Sequence, residues 1–404
     1  MNTALLMIRY HEIALKGGKR PVFEKQLARN IDKMLKRTFG SDAPIKVLRQ
    51  TGRILVEAPW DDENQAKAQQ TLEKVFGISS FSPMRKVDTH IETIKTAALE
   101  EFQKAIAAHG MPKTFRVQTR RSDKVFPESS TDLDRIFGSH LHAAFPDLQV
   151  ELKKPELRLG IEIRRNQSYI WSQKFPGPGG LPVGSNGKLL ALMSGGIDSP
   201  IAVLQILKRG SPVRFIHFDG APFVGPESRE KAEDLVRLVN QYQPAPERMH
   251  TIAFGKIQEK IALVTDAKMR TVLYRRMMMR ISCRIARRIK ALALVTGEAL
   301  GQVASQTLEN LVTIDRVSDL PILRPLIAYD KSEIIALAHH FKTFDTSVRE
   351  AADCCTLFGD RHPTIYSTPA EAEEQEKNFD VEALVNEACE KIESWTFQDS
   401  RHNS

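Results

Sequence analysis

Short apolar runs alternate along this chain with longer segments in which apolar residues recur every three or four positions. "ALLMIRY" (4–10) predicts a strand, and Phe23, Leu27, Ile31 and Leu35 lay an apolar stripe along a helix in "PVFEKQLARNIDKMLKRTF". "IKVLRQTGRILVEAP" predicts a hairpin turning at Thr51-Gly52, and "ENQAKAQQTLEKVF" a helix stopped by Gly77. This β–α–β–β–α order suits a small split-βαβ domain. The mixture repeats over 78–172: the helix "IETIKTAALEEFQKAIAAH" stopped by Gly110, the alternating strand "TFRVQTRR", a helix near "DLDRIFGSHLHAAF", then strands in "LQVELKKP" and "LRLGIEIRRNQSYIWSQ". "FPGPGGLPVGSNG" (175–187) is the clearest linker. Beyond it, the apolar strands "KLLALM", "PVRFIHF", "RMHTIAF" and "ALALVTG" alternate with helix-like segments, the pattern of a parallel sheet covered by helices. We therefore expect an α/β multidomain chain with domains at 1–60, 61–172 and 173–404. The acidic stretch from Pro369, with Glu371, Glu373, Glu374 and Glu376, predicts a solvated terminal helix.

Composition narrows this little. At 404 residues, 42% hydrophobic and 27% charged, the chain has the make-up of a soluble globular protein. A net charge of +8 favours an anionic partner such as nucleic acid or nucleotide. No apolar run is long enough to span a membrane, and the N-terminus lacks the features of a signal peptide. The four cysteines, Cys283, Cys354, Cys355 and Cys389, fit neither a zinc pattern nor a disulfide framework, which points to the reducing cytoplasm.

The chemistry concentrates in "KLLALMSGGIDSP" (188–200). A strand ends at Met193, Ser194, Gly195 and Gly196 turn, and a helix starts near Asp198 with Pro200 in its first turn. Paired glycines let the backbone bend tightly and approach a ligand. Several N–H groups then converge at a helix N-terminus, where the dipole also favours an anion. Ser194 and Ser199 add hydroxyl donors to a cup suited to phosphate oxygens. Asp198 would repel phosphates unless a cation lies between, which implies Mg²⁺ or proton transfer; Asp and Ser at this place also serve simply as helix caps. "GSNGKLL" (184–190) is not the other common phosphate loop, because Leu189 follows Lys188 where Ser or Thr is required. A cup without lysine suits release of pyrophosphate as a unit, leaving an adenylate.

SGGIDS resembles the pyrophosphatase loop of adenine-nucleotide α-hydrolase-like (PP-loop) enzymes. "RYHEIALKGGKRPVFEKQLARNI", "TGRILV", "FGISSFSP", "FRVQTRRSDKVFP", "LYRRMMMRI", "TGEALGQVASQTLENL" and "PILRPLIAYDKSEI" are similar in order and spacing to the tRNA 4-thiouridine synthetase family, from about residue 8 to residue 365. His11 departs from that family's usual glycine. The resemblance implies a ferredoxin-like N-terminal domain, a THUMP RNA-binding domain and a doubly wound PP-loop domain. It implies ATP-dependent sulfur transfer to uridine 8 of tRNA through an adenylated uracil, with persulfide sulfur from a cysteine desulfurase. Transfer to the sulfur carrier protein ThiS for thiamine synthesis, and a homodimer, are further partners it allows. It makes Leu192, Met193, His217, Phe218, Arg275, Gly297 and Gln306 ATP contacts, the first two through backbone groups at the adenine edge.

Lys113, Arg116, Arg120, Arg121 and Lys124 stand against one acid, Asp123, and are expected phosphate contacts in the RNA-binding domain. The stretch from Lys268 to Lys290 carries nine basic residues and no acid on an amphipathic helix, where Arg275 and Arg276 are candidate phosphate ligands and the methionines core filling. Some family members carry the persulfide cysteine on an extra rhodanese domain, for which the acidic tail is too short. Cys355, at the position resembling the family's core-domain cysteine, is then the expected relay thiol, with Cys354 beside it sharing or replacing the role. Two rival readings remain open at this level: an adenylating amidotransferase or synthetase using ammonia, and a tRNA-binding protein that keeps the nucleotide fold without turnover.

Overall fold

The computed structural model describes residues 4–50, 52–121, 127–352 and 357–397, which divide into two compact units between Gly180 and Leu181. In the first, β1 (Ala4–Arg9), α1 (Arg20–Phe39), the hairpin β2 (Lys46–Gln50) and β3 (Arg53–Ala58), and α2 (Asp62–Leu72) lead to β4 (Ser80–Val87). Then come α3 (Ile91–His109), β5 (Thr114–Arg121), α4 (Ser130–Ala144), β6 (Gln149–Val150), the hairpin β7 (Leu157–Ile163) and β8 (Ser168–Trp171), and β9 (Phe175–Pro176). One nine-stranded sheet results, in the order β2-β3-β1-β4-β8-β7-β5-β6 with β9 on β4. β4 is shared: Ser80–Met84 pair with β1, and Arg85–Val87 with β8. Alternation along each strand separates two faces. Phe115, Val117, Leu159 and Ile161 meet Ile94 and Ala97 of α3 and Leu133 and Phe137 of α4. The opposite face carries Leu5, Met7, Leu55, Met84 and Tyr169, packed by Trp171.

Two local expectations change. α2 sits against α1, with Thr38 and Thr71 hydroxyls 2.9 Å apart, so it goes with the strands before it and not with the domain opened at 61 in the sequence reading. An amphipathic helix covers whichever apolar surface is left bare, and its own pattern does not name that surface. His11 occupies φ −115°, a region open to any side chain, so the turn needs no glycine there.

The second unit winds as β10 (Leu189–Leu192), α5 (Asp198–Lys208), β11 (Val213–Asp219), α6 (Pro226–Asn240), β12 (Met249–Ala253), α7 (Gly255–Ala262), α8 (Arg270–Arg288) and β13 (Leu294–Val295). α9 (Leu308–Asp315), β14 (Ile322–Leu323), α10 (Lys331–His340), α11 (Phe344–Ser347), α12 (Pro369–Glu376), α13 (Val381–Glu390) and β15 (Glu393–Trp395) complete it. The sheet runs β14-β13-β10-β11-β12-β15, all parallel except β15, which lies antiparallel on β12. The chain travels from β10 through β11 to β12, then returns to the other side of β10 with β13 and β14. The winding therefore reverses between β10 and β13, and the crevice outside their carboxyl ends is where ligands of such sheets bind. Among the described residues, no helix is long and apolar enough to cross a membrane.

The acidic tail is not a solvated appendage. Leu384, Val385, Ala388 and Cys389 of α13 enter the main core with Cys283 and the Met277–Met279 run of α8. Glu376, 8% exposed, accepts paired hydrogen bonds from Arg276 at 2.8 Å each and from Arg280 at 2.6 and 2.8 Å. Arg276, fully buried, also donates to the Thr313 carbonyl at 2.7 Å. It is thus a structural clamp between α8, α9 and α12, not the phosphate ligand expected from the sequence. Burial would raise the Glu376 carboxyl, but hydrogen bonds from Arg276 and Arg280 outweigh it and lower its pKa to about 2.

Arg276→Met is expected to cost on the order of 3–5 kcal/mol, because it strips a partner from a buried ion pair. The Glu376 contribution should be complete above its ordinary pKa of 4.5 and fade as pH falls toward 2. In urea unfolding, the stability gap between wild type and Glu376→Gln should then stay constant from pH 7 to 5 and narrow below about 4.5.

Candidate functional site

At the β10–β13 reversal lies a cavity of about 350 Å³. Leu192, Met193, Ser194, Gly195, Gly196, Asp198, Ser199, His217, Phe218, Arg275, Gly297 and Gln306 all line it, so residues predicted from four separated segments meet in one place. The floor is the turn after β10. Its shape is held internally: the Gly196 amide donates to Ser194 Oγ at 3.2 Å, the Ser194 amide to Ser199 Oγ at 3.2 Å, and the Ser199 hydroxyl to the Ser194 carbonyl at 3.2 Å. The serines therefore serve first as braces of the turn. α5 begins at Asp198, and Ile201, Leu204 and Leu207 bury its inner side, which fixes the direction of its N-terminus. Opposing backbone completes the support. A methyl group placed on Gly297 would stand 2.7 Å from the Ser199 nitrogen and 2.8 Å from the Asp198 carbonyl carbon, so only glycine fits there.

The charge problem posed by Asp198 has an answer within the chain. Lys331, the first residue of α10, holds Asp198 Oδ1 at 2.6 Å, and Gln302 donates to Oδ2 at 3.1 Å. A second carboxylate, Glu298, is 2% exposed and lies between Arg275 and Arg324, with the Thr296 hydroxyl 2.8 Å away. Burial would raise its pKa, yet the two guanidiniums outweigh that and keep it below the ordinary value. Arg324 passes on to Asp315 at 2.5 and 2.8 Å. Arg275 is thus held at the cavity wall by a fixed anion.

His217 is buried, and its Nδ1 lies 2.9 Å from the Met193 carbonyl. A carbonyl can only accept, so Nδ1 carries the proton. The Met193 amide donates to the Ile216 carbonyl at 2.8 Å. Its N–H is therefore taken by the sheet, while its carbonyl, bonded once by His217, keeps a second lone pair beside the cavity that Met193 lines. Phe218 meets Phe254 edge-on at 5.2 Å, and the Gln306 side-chain oxygen accepts from the Ala299 amide at 3.4 Å. Met278 and Met279 line the cavity while buried in the core, so core filling and lining are one role here. Sequence reasoning missed Lys231, Glu298, Gln302 and Lys331; "TGEALGQVASQTLENL" and "PILRPLIAYDKSEI" held three of them in recognised segments, without a signal for their direction. Cys354 and Cys355 lie outside the described residues, but Ala351 and Ala352, just before them in sequence, line the same cavity.

The first unit carries a separate basic face. Arg116 and Arg120 of β5 share the side opposite the helices; Arg121, in phase with Phe115 and Val117, does not. Lys113 is exposed just before β5, Arg116 donates to the Leu152 carbonyl, and Lys124 lies outside the described residues. Arg120 joins a hollow of about 290 Å³ with Arg9, Arg53, Arg158 and Lys174, four cations that the sequence reading did not group with it. Burial, then the nearby Arg120, lowers the Arg9 pKa to about 10; burial, then Arg164 and Arg9, does the same to Arg53. Glu162 is the acid there, paired with Arg53 and with Arg164 at 2.8 Å. Arg9 Nη2 and Arg53 Nε are buried without a hydrogen-bond partner, which leaves donors for an incoming anion.

Comparison with known proteins bears on both places. Three family models match in succession: the ThiI ferredoxin-like domain over residues 5–82, the THUMP domain over 88–172, and the thiamine biosynthesis protein (ThiI) model over 184–381. The chain is 41% identical to a "Probable tRNA sulfurtransferase" of Brevibacillus brevis, covering 97% of this chain and 96% of that one. It is 40% identical to a protein of the same description from Moorella thermoacetica, covering 97% of each. Its structure is similar to that of a 4-thiouridine synthetase solved as an RNA complex with bound ATP, with TM-score 0.88, 34% identity, and 98% and 99% of the two chains covered.

Gly297→Ala forces the Asp198–Ser199 backbone to move. The expected result is a thermal midpoint lowered by several degrees and inorganic pyrophosphate binding weakened at least about tenfold, measured by thermal unfolding and calorimetry.

Proposed function

The chain belongs to the tRNA sulfurtransferase family, and from that premise we propose that it binds ATP in the β10–β13 cavity and uses it to activate uracil O4 of uridine 8 in tRNA. In this reading the amides of 194–199 and the N-terminus of α5 receive the β- and γ-phosphates, while His217 and Phe218 pack against the base. The O4 oxygen attacks the α-phosphorus, the bond to the bridging oxygen breaks, and pyrophosphate leaves. The outer sulfur of a persulfide then attacks C4 and AMP departs; a second thiol cleaves the remaining S–S bond, leaving sulfur on C4 and a disulfide that an external thiol reductant reopens. Cys355, with Cys354 beside it, is our candidate for the relay thiol, and a cysteine desulfurase for the sulfur source. Sulfur transfer to the carrier protein ThiS would use the same thiol chemistry.

One observation carries this reading. The amide turn sits at the sheet's reversal point with a carboxylate, Asp198, already matched to a lysine. A turn built only to cap a helix needs neither Lys331 nor the close approach of Gly297. Lys331 neutralises Asp198 and lets phosphates come near it. Asp198 also fits a Mg²⁺ ion arriving with the nucleotide, because that ion is commonly held by one or two carboxylates plus phosphate oxygens. Such an ion would supply charge neutralisation as pyrophosphate forms.

The hollow with Arg9, Arg53, Arg120, Arg158 and Lys174 is the proposed tRNA contact. It presents clustered cations on a sheet face, with Arg9 lying 4.9 Å over the Trp171 ring, which suits recognition of folded RNA through backbone and shape.

The test uses purified protein, a tRNA transcript, ATP, a cysteine desulfurase and ³⁵S-cysteine. We expect label in the tRNA and pyrophosphate release that requires tRNA. Asp198→Ala should lower both by about 100-fold or more. Cys355→Ala should lose the label and keep the pyrophosphate release. Pyrophosphate release without any dependence on tRNA, or full activity of Asp198→Ala, would overturn the proposal.

A further inference from the structure

The amide turn contains no lysine, but one lies across it from another helix. Lys231 of α6 lines the cavity and is 9% exposed. A methyl group placed on Gly195 would lie 3.2 Å from Lys231 Cδ and 3.5 Å from its Cε, so the side chain runs directly over the turn. Its ammonium donates to the Arg349 carbonyl at 2.6 Å. The Arg349 guanidinium in turn donates to Asp234 Oδ2 at 2.6 Å. Asp234 stands three residues after Lys231, about one helical turn. One helix therefore holds residue 349 at both its carbonyl and its side chain. Ala351 and Ala352, next along the chain, form part of the cavity wall.

We propose that Lys231 is a ligand of the departing diphosphate, and that its ammonium leaves the Arg349 carbonyl to take it. This rests on the reading above that the turn at 194–199 receives phosphates. Three physical points support it. A hydrogen bond from an ammonium to phosphate, with both groups charged, is stronger than one to a neutral carbonyl. Rotation about Cγ–Cδ and Cδ–Cε swings the ammonium over the turn without moving α6. Lys331 is already committed to Asp198, so Lys231 brings a second ammonium to a cup whose own residues supply none. The exchange has a consequence for the wall. When the carbonyl of residue 349 loses its donor, residue 349 keeps its bonds to Asp234 and to the Thr346 carbonyl but loses its tie to α6 through Lys231, and occupancy of the phosphate cup is transmitted to the segment that leads into Cys354 and Cys355.

Two measurements on the full chain test this: calorimetry with inorganic pyrophosphate, and hydrogen–deuterium exchange of a peptide spanning 344–352. Lys231→Met should bind pyrophosphate about 10- to 100-fold more weakly, and Lys231→Arg should recover most of the loss. Binding of a tRNA transcript without nucleotide should not change in either variant, which separates the effect from misfolding. In the wild type, pyrophosphate should speed exchange in 349–352; in Lys231→Met, exchange should be fast already and indifferent to pyrophosphate. Asp234→Asn should speed exchange while leaving pyrophosphate affinity within about twofold. A wild-type chain that does not bind pyrophosphate would refute the phosphate cup itself. Wild-type binding that Lys231→Met and Lys231→Arg both retain would overturn only the role given to Lys231. Pyrophosphate that leaves 349–352 unchanged in the wild type would overturn the exchange of partners.

Discussion

Backbone packed against backbone at Gly297 and Ser199 holds this site together. The Ser194 and Gly196 amides brace the turn through the serine hydroxyls, and a turn that presents its other amides to a ligand keeps its conformation only if something rigid stands behind it. Here the support is the chain leaving β13, which comes so close to Asp198 and Ser199 that no side chain fits between. β10 and β13 are adjacent parallel strands, so the reversal of the sheet's winding brings these two turns together. The serine hydroxyls within the turn then fix its detail, and the buried face of α5 fixes the axis along which the helix dipole acts.

Around that rigid turn the charges are arranged in matched sets. Asp198 answers to Lys331, and Glu298 to Arg275 and Arg324. A carboxylate left alone beside a polyphosphate would oppose it, and a free arginine in a cavity would lose conformational freedom on binding. Pairing removes the first problem and lessens the second, because Arg275 is positioned by a carboxylate that cannot itself move far. Lys231 differs in kind: its ammonium donates to a neutral carbonyl on a segment of the cavity wall, and a charged phosphate makes a stronger acceptor than that carbonyl. The Arg276–Glu376–Arg280 clamp sits one residue further along α8 than Arg275. It secures the helix from behind, so that the arginine facing the cavity has a fixed origin.

Much of this was legible in the sequence, because the relevant signals are local. The apolar runs located β10, β11, β12 and β13, and the eleven residues proposed as nucleotide contacts, with the catalytic candidate Asp198, all line one cavity. What stayed hidden depends on distance along the chain or on a direction around a helix. Lys331 lies 133 residues from Asp198, and Lys231 lies 118 from Arg349. Nothing in either local pattern points to the partner. Arg275 and Arg276 are consecutive, yet about 100° apart around the helix, so one faces the cavity and the other the core. Helical spacing gives that separation without saying which of the two faces inward. The acidic tail reads as solvated because four glutamates suggest exposure; Glu376 is buried because two arginines from α8 await it. In the first unit, Arg9, Arg53 and Arg158 stand on three different strands, and only the sheet order gathers them beside Arg120.

The central claim is that the main-chain amides between Ser194 and Ser199 hold the phosphates of ATP. A crystal structure of the full chain with a non-hydrolysable ATP analogue tests it most directly. The account requires the β- and γ-phosphate oxygens within about 3 Å of those amide nitrogens at the N-terminus of α5. Phosphates lodged elsewhere, with the 194–199 amides facing only solvent, would contradict it.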